Sequence, residues 1–358
     1  VGLMDGNDVL NSNTILQIQL WLAEGRIAPE NLVHTFRFAY LMDPNNYIPG
    51  SILSAISSYT ILGVPARLLA FWFLFIGFAV KLPVFPVHTW LPDAHVEAPT
   101  PLSVVLAGIL LKIGGYGFIR IVDGFFPIEA QYSMIPLGVL ALISIVYGGF
   151  NALGQKDLKK MIAYSSVSHM GFVLLGVAAF TAEGINGAIY QMVSHGILSS
   201  MLFLCAGVIY DRTHDRQIEN YRGLIYKMPQ YTILTGIAFF GSLGLPGFSG
   251  FVGELFTLMG AFQAKSMPVW IPALSTIGIV LAAGYLLWTY QRMFFGTFWY
   301  KNSSVLHGTE DEVFTDLTKR ETWLLVPLAI IAVILGILPG LLFDITGPAV
   351  QRLMGLLL

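Results

Sequence analysis

The chain has 358 residues, 55% hydrophobic and only 11% charged; an ordinary soluble domain carries roughly 25% charged residues, so a water-facing surface cannot be built from this composition. A formal charge of −2 with no Lys/Arg-rich run leaves no electrostatic footprint for nucleic acid. The single cysteine, Cys205, lies in the apolar run LFLCAGVIY, which excludes a disulfide framework and a thiolate set for zinc or an iron–sulfur cluster.

The first 65 residues scatter Asp5, Asp8, Glu24, Arg26, Glu30, Arg37, Asp43 and an Asn45-Asn46 turn among apolar residues, which reads as a long extramembrane loop over 1–65. No charged segment followed by a short apolar stretch and a cleavage site opens the chain, so insertion is expected to rely on the spanning helices themselves, and a start at Val1 points to a fragment. A helix needs about 20 apolar residues to cross the hydrocarbon core. Eight such runs follow, at 66–95, 99–121, 131–152, 159–181, 185–210, 229–264, 270–299 and 322–345. Two are overlong and interrupted, 66–95 by Pro83 and Pro86, and 229–264 by Gly241, Gly244, Pro246, Gly247 and Gly250; both are expected to be broken helices. Pro92 is read as the end of the first. The expectation is an all-α polytopic bundle of about eight transmembrane spans.

Paired interrupted helices point to an inverted-repeat transporter with its site at the breaks. On that reading residues 66–121 are the end of a first repeat, 131–299 a second repeat with its break in 229–264, and 322–358 a final helix and tail. Lys156, Lys159 and Lys160 crowd one connection, Arg212, Arg216, Arg222 and Lys227 a second, and Lys301, Lys319 and Arg320 a third; these three are expected on the cytoplasmic side. The connections near Glu183 and Lys265, the 1–65 loop and the C-terminus then face outward.

Ionisable residues inside such spans are costly and mark ion or proton pathways. Lys81 sits in WFLFIGFAVKLPVFPVHTW, where Pro83 and Pro86 free backbone carbonyls beside it. A lysine snorkelling to an interface is the plainer alternative. Lys112, in LSVVLAGILLKIGGYGFIR, is near the centre of an otherwise uncharged span, followed by Gly114 and Gly115, which serve either close packing or local loosening. Glu254 follows the glycine-rich break in GSLGLPGFSGFVGELFTLMG, so its partner must come from another helix or from water. His169 (YSSVSHMGF) and His195 (QMVSHGILSS) lie in consecutive spans and can relay a proton, one ring nitrogen donating while the other accepts; a satisfied core histidine is the alternative. Ser165, Ser166, Ser168, Ser194, Ser199, Ser200 and Tyr164 can hold water between them or simply pack helices.

His88, Asp93 and His95 in HTWLPDAH invite a metal reading, but the spacing matches no ligand pattern. GFNALGQKD lacks the Gly-Lys-Ser/Thr ending of a phosphate loop, and the Asn302-Ser303-Ser304 sequon falls on the expected cytoplasmic side.

The stretches FAVKLPVFPVHTWLPDAHVEAPTPLSVVLAGILLKIGGYGFIR, GQKDLKKMIAYSSVSHMGF, YQMVSHGILSSMLFLCAGVIYDRTHDRQIENYRGL and LGLPGFSGFVGELF resemble the antiporter-like membrane subunits of NADH:quinone oxidoreductase, respiratory complex I. That family is shared with multisubunit Na⁺/H⁺ antiporters. Glutamate at 254 and GVIYDRTHDRQIENYRGL favour its M-type branch, whose mitochondrial counterpart is subunit 4, and the chain is also similar to the D subunit of the photosynthetic complex. The resemblance implies an antiporter-like inverted-repeat fold and a proton path through Lys81, Lys112, His169, His195 and Glu254, with His88 beside it. It implies a proton-translocating translocase subunit in a bacterial inner membrane, hetero-oligomeric with the other membrane-arm subunits and in contact with lipid. NAD, FMN, iron–sulfur clusters and quinone would be held by partner subunits, with no cofactor or metal in this chain. Family members carry further helices before Lys81, including a glutamate that pairs with it; no residue here takes that role, and an N-terminally truncated subunit is expected. The alternatives are a subunit of a multisubunit Na⁺/H⁺ antiporter and a membrane scaffold whose charges are only paired internally.

Overall fold

The computed structural model describes residues 20, 24, 38–42, 59–302 and 309–357. Most of the expected 1–65 loop, and Ser303 and Ser304 of the sequon, lie outside the described residues.

A two-residue hairpin, β1 (Thr60–Ile61) and β2 (Val64–Pro65), leads into helix α1 (Ala66–Lys81). The chain breaks after Lys81 and resumes as α2 (Trp90–Glu97). Trp90 Nε1 donates to the Val80 carbonyl at 2.9 Å across that break, which takes up an acceptor the interrupted helix has freed. Pro92 lies in the first turn of α2 and does not end a helix as expected from sequence; at that position its missing N–H has no bond to lose.

The following helices are α3 (Thr100–Phe125), α5 (Met134–Leu153), α6 (Leu158–Ala178), α7 (Ala182–Thr213), α10 (Trp270–Phe294) and α11 (Lys319–Ile337), each long and apolar enough to cross a membrane. A short α4 (Pro127–Tyr132) precedes α5. The run at 229–264 is a broken pair, α8 (Pro229–Ser242) and α9 (Ser249–Gln263). Local chemistry starts these helices: Asp157 accepts from Lys159 N at 2.8 Å and Lys160 N at 3.0 Å, Thr181 accepts from Gly184 N, and Thr318 with Glu321 forms a reciprocal capping box.

The last apolar run is two helices where one span over 322–345 was expected. Helix α11 stops at Ile337, and a separate α12 (Gly340–Leu357) follows Pro339. Proline has no N–H to continue a helix, and apolar composition alone does not register that stop. Thr346 of α12 donates to Asn186 Oδ1 at 3.1 Å, which ties it back to α7.

Helix α6 is the axis of the bundle: 94% of its apolar window is buried inside the protein, against 17% for the peripheral α11. Two apolar cores lie toward its ends. One gathers Phe71, Phe75, Phe118, Leu137, Met170 and Leu175; the other gathers Met161, Phe203, Ile209, Tyr231, Met293 and Phe294. Between them runs a buried polar layer containing Ser165, His169, Gln191, Ser194, His195, Ser199, Ser242 and Glu254.

All three basic connections meet at one end of the bundle. Asp157 and Gln217 form an antiparallel bridge, Leu158 N donates to Arg216 O, and β3 (Tyr221–Arg222) pairs with β4 (Trp299–Tyr300). Arg212 makes a bidentate pair with Glu321 at 2.8 and 2.9 Å.

Candidate functional site

Lys112 lies on α3 just past a widened turn over Leu106–Leu110, where the helix adopts π geometry. Such turns leave backbone carbonyls open to other donors. The Lys112 ammonium takes the Ala107 carbonyl at 2.5 Å, and its Nζ is 2.6 Å from His195 Nδ1 on α7. Two glycines make that approach possible. A Cβ on Gly196 would sit 2.9 Å from Gly108 O and 3.6 Å from Lys112 Cε, so the helices cross at their backbones beside the lysine.

His195 faces His169 on α6, with ring centroids 5.6 Å apart and planes tilted by 55°. That separation exceeds a direct hydrogen bond. His169 Nδ1 in turn donates to Glu254 Oε1 on α9 at 2.9 Å, with both side chains buried to about 5% exposure or less. The break between α8 and α9 delivers the carboxylate: Gly244 adopts a positive φ of +79°, and a Cβ there would sit 3.0 Å from Glu254 Oε2.

A narrow polar cavity lies against the histidines, lined by Ser165, His169, Gln191, Ser194, His195 and Ser242 among others, with about 10 Å³ open to a water centre. This is near the least that one water requires. His169 Nε2, Gln191 Oε1 and Ser242 Oγ are buried there without hydrogen-bond partners among the described residues, the signature of groups served by water. The four ionisable groups thus form a line from α3 through α7 and α6 to α9, with an apolar core on either side to exclude bulk water.

Four of the residues expected from sequence are therefore brought together: Lys112, His195, His169 and Glu254. Lys81 and His88 are not joined to them. Lys81 ends α1, half-buried, with no hydrogen bond or ion pair among the described residues. His88 is buried between Phe85 and Tyr147, its Nδ1 without a partner among the described residues. Gly114 proves to be a packing glycine, since a Cβ there would lie 2.6 Å from Leu82 N at the break. Most of the serines also pack: Ser165 and Ser166 donate to Ile162 O, Ser168 to Ile145 O and Ser199 to His195 O. Ser194 instead donates across helices to Ser249 at 2.8 Å.

His88, Asp93 and His95 do not converge, because Asp93 is 77% exposed and faces Lys160 at 3.7 Å. His95 is fully buried and stacked on Phe203 at 4.3 Å, both ring nitrogens without a partner among the described residues. Sequence reasoning used it only in the metal pattern, and Asp93 and Glu97 on either side hid its burial. Asp123, buried with an Oδ2 that has no partner among the described residues, and Glu129, paired with the buried Arg67 at 2.8 Å, were missed because they fall between the runs ended at 121 and begun at 131; Arg67 was passed over at the edge of the first run.

Residues 44–302 match the family model described as NADH:quinone oxidoreductase/Mrp antiporter, TM. The chain is 45% identical over 305 residues to NADH-quinone oxidoreductase subunit M of Rhodobacter capsulatus, covering 85% of this chain and 57% of that protein. It is 44% identical over 266 residues to NADH-ubiquinone oxidoreductase chain 4 of Chondrus crispus, covering 74% of this chain and 52% of that one. A chain of respiratory complex I from Thermus thermophilus with bound NADH superposes with a TM-score of 0.72 at 33% identity, over 82% of this chain and 59% of that one. A chain of the Mrp complex from Dietzia superposes at 0.75 with 22% identity, over 95% and 65%, a likeness of fold alone. The chain thus spans less than two thirds of the length of these relatives.

Proposed function

The chain belongs to the NADH:quinone oxidoreductase/Mrp antiporter transmembrane family, and from that premise we propose that it is a proton-translocating membrane subunit of an NADH:quinone oxidoreductase. One observation carries the mechanism: the line Lys112–His195–His169–Glu254 through the polar layer between the two apolar cores. The Lys112 ammonium donates to His195 Nδ1, and proton transfer reverses that bond, leaving a neutral amine that accepts. A water between the rings hands the proton on to His169, which delivers it to Glu254. Charge near this path sets the direction of flow. At low effective dielectric a charge brought to or withdrawn from such a group is worth several kcal/mol. Moving one charge against about 100 mV costs roughly 2.3 kcal/mol, so such changes suffice.

Lys81 is proposed to feed this line when a compensating carboxylate moves away from it, and His88 to stand beside that entry. The M-type names and the level of identity support the complex I reading. On the same reading NADH, flavin, iron–sulfur and quinone chemistry belongs to partner subunits in a bacterial inner membrane. Residues 66–121 and 131–299 are taken as parts of two inverted repeats, which the two broken helices support.

The test is proton uptake by inverted vesicles energised with NADH, comparing the full-length protein with Lys112→Ala at matched electron-transfer rates. Reduced uptake with intact assembly is the expected result. Unchanged uptake would reduce the chain to a scaffold, and uptake that persists only with a Na⁺ gradient and no NADH would make it an antiporter subunit.

A further inference from the structure

We propose that a cleft at the basic end of the bundle, remote from the proton line, binds the headgroup of an anionic phospholipid. The cleft, about 800 Å³, opens between the β3–β4 ribbon and the end of α10, and its walls include Arg222, Arg292, Glu219, Trp288, Trp299 and Phe295. Arg222 is exposed, and its guanidinium makes no hydrogen bond or ion pair among the described residues. Arg292 stacks on Trp288 at 4.7 Å and reaches Glu219 at 3.5 Å, a pair about half exposed on the carboxylate side and easily opened. The cleft therefore offers two guanidinium forks against one carboxylate, and guanidinium matches the paired oxygens of a phosphodiester.

The ribbon holds Arg222 in place. A Cβ on Gly296, whose φ is +93°, would lie 2.6 Å from Arg222 Nε, so the guanidinium stem runs along bare backbone at that turn. Trp288 and Trp299 are each 48% exposed beside it, the residue type that settles at headgroup level.

A stripe on α10 says what lies below the headgroup. Ile277, Val280, Gly284, Leu287 and Trp288 are exposed at spacings of one helix face, and Gly284 leaves a recess along it. At 1.5 Å per residue the stripe runs about 17 Å, close to the roughly 15 Å of one leaflet's hydrocarbon. A free phosphate would use the arginines and ignore this track; a phospholipid uses both. The cleft also lies at the end that gathers the lysines and arginines, which is expected to face the cytoplasmic leaflet, where anionic lipids attract basic groups.

The experiment uses the full-length protein extracted with its native partners into nanodiscs of phosphatidylcholine doped with photoactivatable phosphatidylglycerol, followed by peptide mapping. Label is expected on the peptide spanning 287–299. Arg222→Gln should reduce it about fivefold, the equivalent of the roughly 1 kcal/mol that one arginine contributes at a membrane surface. Arg222→Lys, which keeps the charge but not the fork, should label between wild type and Arg222→Gln, which separates loss of charge from misfolding. Equal labelling by a phosphatidylcholine probe, wild-type labelling in Arg222→Gln, full displacement by millimolar inorganic phosphate, or crosslinking of the cleft to a partner chain in place of lipid would each overturn the proposal.

Discussion

At the level of single residues, the site was legible as charge in the wrong place. Lys112, Glu254, His169 and His195 stand out because apolar runs surround them. Their pairing was not legible, since Lys112 and His195 are 83 positions apart and His169 and Glu254 are 85 apart. Only the fold brings them together, and it leaves Lys81 and His88 outside the line. The pairing makes a specific demand on His195. Glutamine there can still accept from Lys112, but it lacks two ring nitrogens that exchange donor and acceptor roles. His195→Gln is therefore expected to preserve assembly while abolishing proton uptake. His195→Ala should also lower stability by about 1–3 kcal/mol, because it strips an acceptor from a half-buried ammonium. Thermal unfolding of the purified protein alongside vesicle uptake reads both effects. Wild-type uptake in His195→Gln would remove the histidine from the path.

At the level of the helices, the two breaks were visible in advance because proline and glycine announce them. The widened turn at Leu106–Leu110 was not, as Leu-Ala-Gly-Ile-Leu is an ordinary helical sequence; tight packing against α7 through Gly108 and Gly196 accompanies it. The stop at Pro339 was missed for a different reason, apolar residues continuing on both sides of it. The break between α8 and α9 permits a controlled comparison. Gly244 and Gly247 both have positive φ, +79° and +100°, so alanine at either should cost about 1–2 kcal/mol of backbone strain. Only at Gly244 does the new Cβ press on Glu254, 3.0 Å from Oε2; at Gly247 nothing lies within 4 Å. Gly244→Ala is expected to slow proton uptake well beyond Gly247→Ala at a similar loss of thermal stability. Equal slowing would mean that the break, and not the placement of the carboxylate, governs transport. Asp157→Ala tests a different element: it removes the acceptor for Lys159 N and Lys160 N and the partner of Arg216 at 3.3 Å. It should lower stability by about 0.5–2 kcal/mol without altering uptake per assembled complex, and a large uptake defect at normal assembly would contradict a purely structural cap.

For the molecule as a whole, the count of lysines and arginines predicted that three connections share one side, and the structure ties those connections together at one end of the bundle. What the charges could not reveal is how rigidly they are held. Arg212 reaches Glu321 across more than a hundred residues, and the Asp316 carboxylate accepts from Gln230 N at 2.9 Å and Tyr231 N at 3.0 Å, closing the α7–α8 connection onto the approach to α11. A locked basic end fixes the orientation of every helix at once, so two reporter positions suffice to test it. Cys205, the native cysteine, is 1% exposed and gives little background to a membrane-impermeant maleimide. Lys301→Cys lies at the basic end and Lys265→Cys at the opposite end, both at exposed positions. The rule that basic connections stay in the cytoplasm predicts that Lys301→Cys is labelled in inverted vesicles and Lys265→Cys in intact cells stripped of their outer layers. The reverse pattern would turn the molecule over, placing the arginine-lined cleft against the outer leaflet. Labelling of both positions from one side would break the alternation of spans on which the orientation rests.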